Sequence, residues 1–250
     1  MLKRGFIILV VLMMLVAVGV TASAATLIWE LNFENDADLS WLTVCDPSGK
    51  PFAEKDLVQM AISDEVGGYE GSKALKLTRR TTDIDPYVRI GMNRFEFPFP
   101  TNTGYFEVAF YDPYPLVPMS QYFLATGRNA WLDLRLYYNA GNPGMNYYYF
   151  GYYDGSTWDN FYTVKKYPGR ADDIEFKRSN GWHTVGIEVK PTERNYYIDR
   201  KLVNTFKFTK GDQDLQYITF WLPPMPQSKL DDVKAAGFDY TLDVYWDSIK

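Results

Sequence analysis

The sequence predicts an all-β fold, a two-sheet antiparallel β-sandwich. Apolar and polar residues alternate with a period of two through much of the chain, as half-buried strands require. The alternating runs are short, and they end at Gly, Pro, Asn or Asp, which form turns. No linker, repeat or low-complexity stretch divides the chain. These observations favour one sandwich over a helical or two-domain protein.

The first residues predict an export signal. Lys3 and Arg4 precede the apolar run Phe6 to Val20, and small residues follow at Ala22-Ser23-Ala24, where a signal peptidase cuts. No later stretch approaches the roughly 18 to 20 apolar residues of a membrane-spanning helix. We expect a signal peptide over residues 1–25, a single sandwich domain over residues 26–250, and a secreted or periplasmic protein without a membrane span after cleavage. The alternative is an uncleaved anchor.

Around ten strands are expected, and they account for most of the domain. In chain order they are Leu27 to Phe33, Ala74 to Thr78, Tyr87 to Met92, Tyr105 to Tyr111, Trp131 to Tyr138, Tyr147 to Tyr153, Asn160 to Val164, His183 to Val189, Tyr196 to Asp199, Tyr217 to Leu222 and Thr241 to Ile249. Asp154-Gly155 predicts a hairpin turn. Ser228 and Asp231, followed by Gly237, predict one short surface helix near residues 228–236.

Charge and cysteine content exclude some classes of protein. The formal net charge is −5, and the loss of Lys3 and Arg4 with the signal makes it −7, so nucleic acid is a poor partner. Cys45 is the only cysteine, so no internal disulfide can form in the exported chain. A structural calcium ion is therefore worth seeking. The oligomeric state is not predicted.

Aromatic residues are concentrated between Trp131 and Tyr167, in greater number than one core can bury. Leu132, Leu134 and Leu136 share one side of their strand, which leaves four residues with sugar-binding chemistry on the other side: Trp131, Asp133, Arg135 and Tyr137. Rings that stack on sugars beside polar groups that bond hydroxyls suit a polysaccharide or other glycan. Four further residues join this predicted site: Tyr105, Glu107, Tyr111 and Trp158. Alternatively, the rings simply pack the sandwich.

Binding is the simpler interpretation, and no catalytic residues are assigned under it. If the protein is an enzyme, Glu107 and Asp133 are the candidate carboxylate pair of a glycoside hydrolase. If it is instead a polysaccharide lyase, Tyr137 is the candidate base and Arg135 the candidate group that neutralises the uronate. His183 is the only histidine, and its side of the strand predicts a packing role. An extracellular structural or adhesion protein is the third alternative.

Short motifs carry a resemblance to a known superfamily. Gly181-Trp182-His183-Thr184-Val185 leads to Tyr197-Ile198-Asp199, with Arg200 where the family usually has Gly. This hairpin resembles the concanavalin A-like and laminin-G-like jelly rolls. Asn32-Phe33-Glu34, Gly71 to Leu77 and Tyr245 to Ile249 resemble marker segments of carbohydrate-binding jelly-roll modules.

The resemblance implies a metal site, but the sequence lacks a catalytic motif found in the glucanases with this fold. In such modules the two acidic residues corresponding to Glu34 and Asp247 can share a structural calcium ion, to which Lys73 would add its carbonyl oxygen. The Glu-x-Asp-x-x-Glu type motif of jelly-roll glucanases is absent. The resemblance therefore implies a glycan-binding jelly roll with a possible structural calcium ion and no other cofactor.

Overall fold

The structure is a computed structural model. It describes residues 30–45, 58–80, 88–92, 103–112, 122–127, 131–137, 147–153, 158–162, 178–207, 215–222, 235 and 241–250. All strand pairs in these ranges are antiparallel, and they form two seven-stranded sheets. The predicted all-β sandwich is confirmed.

The first sheet has the strand order β1-β4-β13-β6-β7-β8-β9. Its strands are β1 (Leu42–Cys45), β4 (Val88–Met92), β6 (Tyr122–Gly127), β7 (Trp131–Tyr137), β8 (Tyr147–Tyr153), β9 (Trp158–Tyr162) and β13 (Leu215–Leu222). In this sheet the structure describes the side chains of Leu42, Tyr148 and Phe150, and elsewhere the backbone pairing.

The second sheet has the strand order β12-β11-β10-β5-β14-β3-β2. Its strands are β2 (Val58–Ser63), β3 (Ala74–Arg80), β5 (Gly104–Asp112), β10 (Gly181–Val189), β11 (Glu193–Ile198), β12 (Lys201–Lys207) and β14 (Thr241–Asp247). A 3-10 helix, Asp36–Trp41, precedes β1. Its start is fixed by Asp38, whose carboxylate accepts the Asn35 backbone N–H at 3.2 Å.

The core lies between the sheets and is centred on Phe110. The ring centroid of Phe110 lies 5.7 Å from that of Tyr148 in the first sheet and 6.1 Å from that of Trp246 in β14. All three side chains are almost completely buried. Each large buried side chain stabilises the fold by roughly 1.5–3 kcal/mol. The alternation in Tyr105 to Tyr111 thus directs Phe106, Val108 and Phe110 inward, as predicted.

Several sequence predictions differ from the structure at the elements. Of the first predicted strand, Leu27 to Phe33, the structure describes residues 30–33, where a single bridge joins Leu31 to Ile249 and a left-handed φ of 49° at Phe33 interrupts the extended chain. β1, β2, β6 and β12 were not predicted. The strands either side of Asp154-Gly155 do pair, although the turn itself lies outside the described residues. Of the predicted helix near 228–236, only Ala235 is described, and it is helical.

In the described residues, no helix combines the length and the apolar character needed to cross a membrane.

Candidate functional site

Strand alternation defines the outer face of the first sheet. In β8, Tyr148 and Phe150 are fully buried, and both contact the second sheet. The ring centroid of Tyr148 lies 5.7 Å from that of Phe110, and that of Phe150 lies 5.7 Å from that of Tyr196. Successive strand positions point to opposite faces. The other positions of β8 therefore belong to the face turned away from the core.

The register of β7 against β8 extends this face. Four outer pairs follow from it: Trp131 with Tyr153, Asp133 with Gly151, Arg135 with Tyr149, and Tyr137 with Tyr147. The leucine positions of β7 instead pair with Tyr148, Phe150 and Tyr152. Directly paired positions share a face of the sheet. The predicted division of β7 into a leucine side and an outer side therefore agrees with the register.

Neighbouring strands add more aromatic positions to the same face. Trp158 of β9 pairs with Tyr153 of β8, so the register puts this predicted site residue on the same face, one strand beyond β8 from β7. Pairing through β6, β13 and β4 extends the set, which we call the first-sheet face. Its aromatic positions are Tyr122, Trp131, Tyr137, Tyr147, Tyr149, Tyr153, Trp158, Tyr162, Tyr217 and Trp221. Its polar positions include Arg89, Asp133, Arg135 and Asn160.

Carboxylates are scarce on the first-sheet face. Within the described strands of this sheet, Asp133 is the one acidic residue at an outer register position. Glycoside hydrolysis by the common mechanisms requires two carboxyl groups about 5 to 10 Å apart. The outer register positions of these described strands therefore supply one of the two carboxyl groups that such a mechanism requires.

Three predicted site residues lie on the opposite side of the sandwich. Tyr105, Glu107 and Tyr111 belong to β5, in the middle of the second sheet, whereas Asp133 belongs to β7 in the first. Their parity on β5 is opposite to that of the core residues Phe106, Val108 and Phe110, so they face away from β7. The single site that was predicted to unite these residues with β7 is therefore wrong. Glu107 and Asp133 cannot flank one glycosidic bond, because both sheets stand between them.

His183 is buried, as its predicted packing role requires. It is 8% exposed, and its ring lies between Phe110 and Tyr148, with centroid distances of 5.9 and 5.8 Å. Its Nδ1 lies 2.9 Å from Asp199 Oδ2, and its Nε2 lies 2.9 Å from the backbone oxygen of Ser179. Burial opposes its charged form, but the hydrogen bond and charge of Asp199 outweigh burial and raise the pKa of His183.

Ser179, His183 and Asp199 have the connectivity of a serine-hydrolase triad, since Ser179 Oγ lies 3.1 Å from Nε2. The geometry nevertheless opposes base catalysis. The oxygen nearest to Nδ1 belongs to the Asp199 carboxylate, and the oxygen nearest to Nε2 is the backbone carbonyl of Ser179 at 2.9 Å, closer than the Ser179 hydroxyl. Both nearest oxygens only accept hydrogen bonds, which favours an imidazolium that donates from both nitrogens. A general base needs a free nitrogen lone pair. These contacts are therefore better explained as stabilising the turn between β11 and β12, which contains Asp199, than as forming a nucleophilic site.

A buried ion pair beneath His183 was not predicted from the sequence. Arg178 donates to Asp112 from Nε at 2.8 Å and from Nη2 at 2.6 Å, and both side chains are completely buried. Tyr148 of the first sheet donates its hydroxyl to the same carboxylate at 3.1 Å. The network thus joins the two sheets and holds β8 in position. Asp112 ends an apolar strand, which was the only sequence signal available.

The two predicted metal ligands lie at one loop, residues 67–73. Glu34 accepts the backbone N–H groups of Ser72 at 2.8 Å and Lys73 at 3.1 Å, and these bonds lower its pKa. Asp247 accepts the Tyr69 N–H at 2.7 Å. Burial raises the pKa of Asp247 to about 6, and the negative charge of Glu34 contributes to the rise. The loop therefore brings the predicted carboxylates within electrostatic reach of each other.

This arrangement fits a hard cation in its donor chemistry. The carbonyl oxygen of Lys73 and Oδ2 of Asp247 both lie against Gly68, where an added Cβ would come within 2.5 and 3.1 Å of them. Calcium binds carboxylate and carbonyl oxygens, usually six to eight of them. In the described residues, however, no three His, Cys, Asp or Glu side chains group around a possible metal position. Most of the oxygen ligands would therefore have to come from carbonyl groups and water.

Comparison with solved structures finds the same fold in glycoside hydrolases. A glycoside hydrolase family 16 endo-glucanase from Bacteroides ovatus has a TM-score of 0.59 and 16% identity, over 90% of this chain and 99% of that chain. The β-glucanase of Bacillus licheniformis has a TM-score of 0.54 and 15% identity, over 91% of this chain and 97% of that chain. For the catalytic domain of an endo-1,3-β-glucanase from Thermotoga petrophila, the TM-score is 0.50, with 13% identity over 90% and 96%.

No protein-family model and no curated protein sequence matches the chain. The structural likenesses span nearly the whole chain, and they show the fold. The chain has the concanavalin A-like jelly-roll fold, which confirms the resemblance seen in the sequence motifs.

Proposed function

We propose that this is an exported carbohydrate-binding protein that recognises a glycan on the first-sheet face. The observation that carries the proposal is the composition of that face. Its register positions hold many aromatic residues, interspersed with Asp133, Arg135 and Asn160. Aromatic rings stack on the C–H faces of sugars, and planar polar side chains bond to the hydroxyl groups. The excess of acidic residues in the chain favours a neutral or mildly charged glycan.

The scarcity of carboxylates supports binding over hydrolysis. A retaining or inverting glycosidase uses one carboxyl group as acid and a second as nucleophile or base. On the described strands of the first-sheet face, Asp133 is without a carboxylate partner, and Glu107 lies on the other side of the sandwich. The described strands of this face thus offer a bound glycan one carboxyl group, which favours binding over cleavage.

Glycoside hydrolysis is the second candidate function, and the fold comparison favours it. The structural neighbours named above are described as glucanases. We therefore choose soluble β-glucans as the first ligands to test. Release of reducing ends during incubation would support the hydrolase. New absorbance from an unsaturated uronate would support a lyase, and self-association that sugars do not affect would support a structural or adhesion role.

A glycan array tests the central proposal. Wild-type protein should be retained on at least one glycan, and the double variant Trp131→Ala, Tyr137→Ala should lose that retention. Leu202→Ala is the matched control, because Leu202 is an exposed apolar residue of the second sheet, 43% accessible. The control should bind like wild type. Equal binding by wild type and the double variant would overturn the proposal.

We also propose that calcium stabilises the loop at residues 67–73. A cation near Glu34 and Asp247 would offset their mutual repulsion and would tie the loop to both ends of the described fold. The thermal midpoint should rise with added calcium and fall with chelator in wild type, and the shift should vanish in Asp247→Asn. A midpoint that neither calcium nor chelator changes would rule out the ion.

A further inference from the structure

On the outer face of the second sheet, one aromatic ring packs over the backbone of a neighbouring strand. Tyr105 is 46% exposed, and its ring lies over Gly186 of the neighbouring strand β10. An ideal Cβ at residue 186 would overlap the Tyr105 hydroxyl. Glycine inside a strand is unfavourable, and it often marks the close approach of another group. Gly186 thus provides the space in which the Tyr105 ring lies on the sheet with part of its surface open to solvent.

Polar contacts hold this ring in place. The Tyr105 hydroxyl donates to Glu107 Oε2 at 2.8 Å, and Arg200 donates to Glu107 from Nη2 at 2.9 Å. Glu107 is 4% exposed, although it stands on an outer face, whereas the Arg200 side chain is 61% exposed. A buried carboxylate therefore anchors both an exposed ring and an exposed guanidinium group.

Arg200 adopts a left-handed backbone conformation, which glycine adopts more easily than arginine. Asp199 and Arg200 have φ angles of 47° and 61°, so both central residues of the β11–β12 turn are left-handed. Turns of this kind favour Asn and Gly. A strained non-glycine residue that is held by its surroundings is a reason to look for a function. Arg200 occupies this position, and its guanidinium group donates to Glu107.

More rings flank the anchored pair on both sides. The Tyr197 ring lies 5.7 Å from that of Tyr105, at 74°. Burial raises the pKa of Tyr69, on which the charges of Arg200 and Glu107 act in opposite directions, and the Tyr69 ring lies 6.3 Å from that of Trp182. Tyr69 and Trp182 are both partly exposed. We call this set the second-sheet cluster: Tyr69, Tyr105, Glu107, Trp182, Tyr197 and Arg200.

We propose that the second-sheet cluster is a second saccharide-binding site, for a neutral sugar. Partly exposed rings beside a fixed guanidinium group offer both stacking surfaces and hydrogen-bond donors, which together suit the two sides of a pyranose. The charges on this part of the face are paired: Arg200 with Glu107, and Lys190 with Glu188 and Glu193. With two cations against three carboxylates, this surface carries a small net negative charge and fits an uncharged occupant better than a polyanion.

The two outer faces point in opposite directions because the sheets pack against each other through their inner faces. The two sites are therefore too far apart for one short oligosaccharide to occupy both. One molecule that binds a sugar on each face would instead bridge two glycan chains. The bridging activity rests on the proposed function of the first-sheet face. The second site itself does not, since it is built entirely from the second sheet and its adjoining turns.

An array of immobilised neutral oligosaccharides, probed with full-length wild type and variants, separates the two proposals. Tyr105→Ala removes the ring and should weaken binding to at least one glycan by about tenfold or more. This loss should persist in the Trp131→Ala, Tyr137→Ala background. If Tyr105→Ala changes no signal while the first-sheet variant does, the second site is wrong and the first stands. If only Tyr105→Ala matters, both here and on an array of mildly charged glycans, the first-sheet proposal fails instead. Retention of wild type on no neutral glycan would overturn the second site, and retention on no glycan of either kind would overturn both.

A second variant tests the role of Arg200 apart from folding. Arg200→Gly combined with Glu107→Gln relieves the left-handed turn and leaves no unpaired buried charge, so the thermal midpoint should stay near that of wild type. Binding that depends on Tyr105 should nevertheless fall. Lys207→Ala, at an exposed position at the far end of β12, should leave binding unchanged. Full binding by the double variant would show that the ion pair serves only the turn, and would overturn the site as proposed.

Discussion

Replacement of Asp112 by Ala should destabilise the sandwich more than most single substitutions. The carboxylate of Asp112 accepts two hydrogen bonds from Arg178 and one from Tyr148, and the ion pair has no solvent exposure. The variant would leave the guanidinium group of Arg178 in the core without this counter-charge. Breaking a buried ion pair by removal of one partner typically costs about 3–5 kcal/mol.

The expected shift in melting temperature follows from this free energy. For a domain of this size, each kcal/mol lowers the thermal midpoint by roughly 2–4 °C. Asp112→Ala should therefore lower the midpoint by about 6–20 °C. The loss of the Tyr148 hydrogen bond, about 1 kcal/mol, adds to the effect.

Urea and thermal unfolding, followed by circular dichroism, measure the change. The matched control is Asp112→Leu with Arg178→Leu, which removes both charges together. Replacement of a buried pair by apolar residues is often neutral, so the double variant should lose less than half of what Asp112→Ala loses. A loss below about 1 kcal/mol for Asp112→Ala, or an equal loss in the double variant, would refute the reasoning.

Three further outcomes are expected. The folded pKa of His183 lies above its ordinary value of 6.5, so the stability that this residue contributes is present below pH 6.5 and is lost as pH rises. Urea unfolding midpoints measured between pH 6 and 8.5 should therefore fall more in wild type than in His183→Asn. Asp199 has a folded pKa below its ordinary 3.8, so its contribution is present above that pH and is lost under acid, and Asp199→Asn should flatten the acid side of the same profile. Gly186→Ala should displace the tip of Tyr105 with a stability cost of about 1 kcal/mol or less, visible as a change in tyrosine near-ultraviolet dichroism, and an unchanged spectrum would contradict the position of the ring.

Strand periodicity predicted a large share of the fold because it is a local property. β5, β7 and β10 alternate clearly, whereas β8 is a run of aromatic residues; for all four strands the structure gives bounds within two residues of the predicted ones. The missed strands had weaker local signals. β6, for example, is Tyr122–Gly127, in which apolar residues adjoin one another and the strand ends at glycine. Its place beside β13 depends on pairing across a long stretch of chain, which periodicity cannot reveal.

The candidate site was only half predictable for the same reason. Alternation gives the side of a strand on which a residue lies, so Trp131 and Asp133 were correctly separated from Leu132. Alternation does not say which sheet contains the strand. Glu107 was therefore combined with Asp133, although β5 and β7 belong to opposite sheets. The contact between Arg200 and Glu107 could not be predicted either. The sequence shows that Arg200 replaces the usual glycine of the turn motif, but it does not show which carboxylate the arginine side chain contacts.

The position of β14 in the second sheet has a consequence for how the chain folds. β14, residues 241–247, lies between β5 and β3, and the adjacent Lys250 exchanges backbone hydrogen bonds with Glu107. During synthesis, the middle of this sheet stays open until nearly 250 residues have been made. Its β2–β3 hairpin and its β5–β10–β11–β12 part have no direct ladder between them before then. A nascent chain therefore lacks a complete second sheet until β14 joins the two parts, so the sandwich can close only late in synthesis.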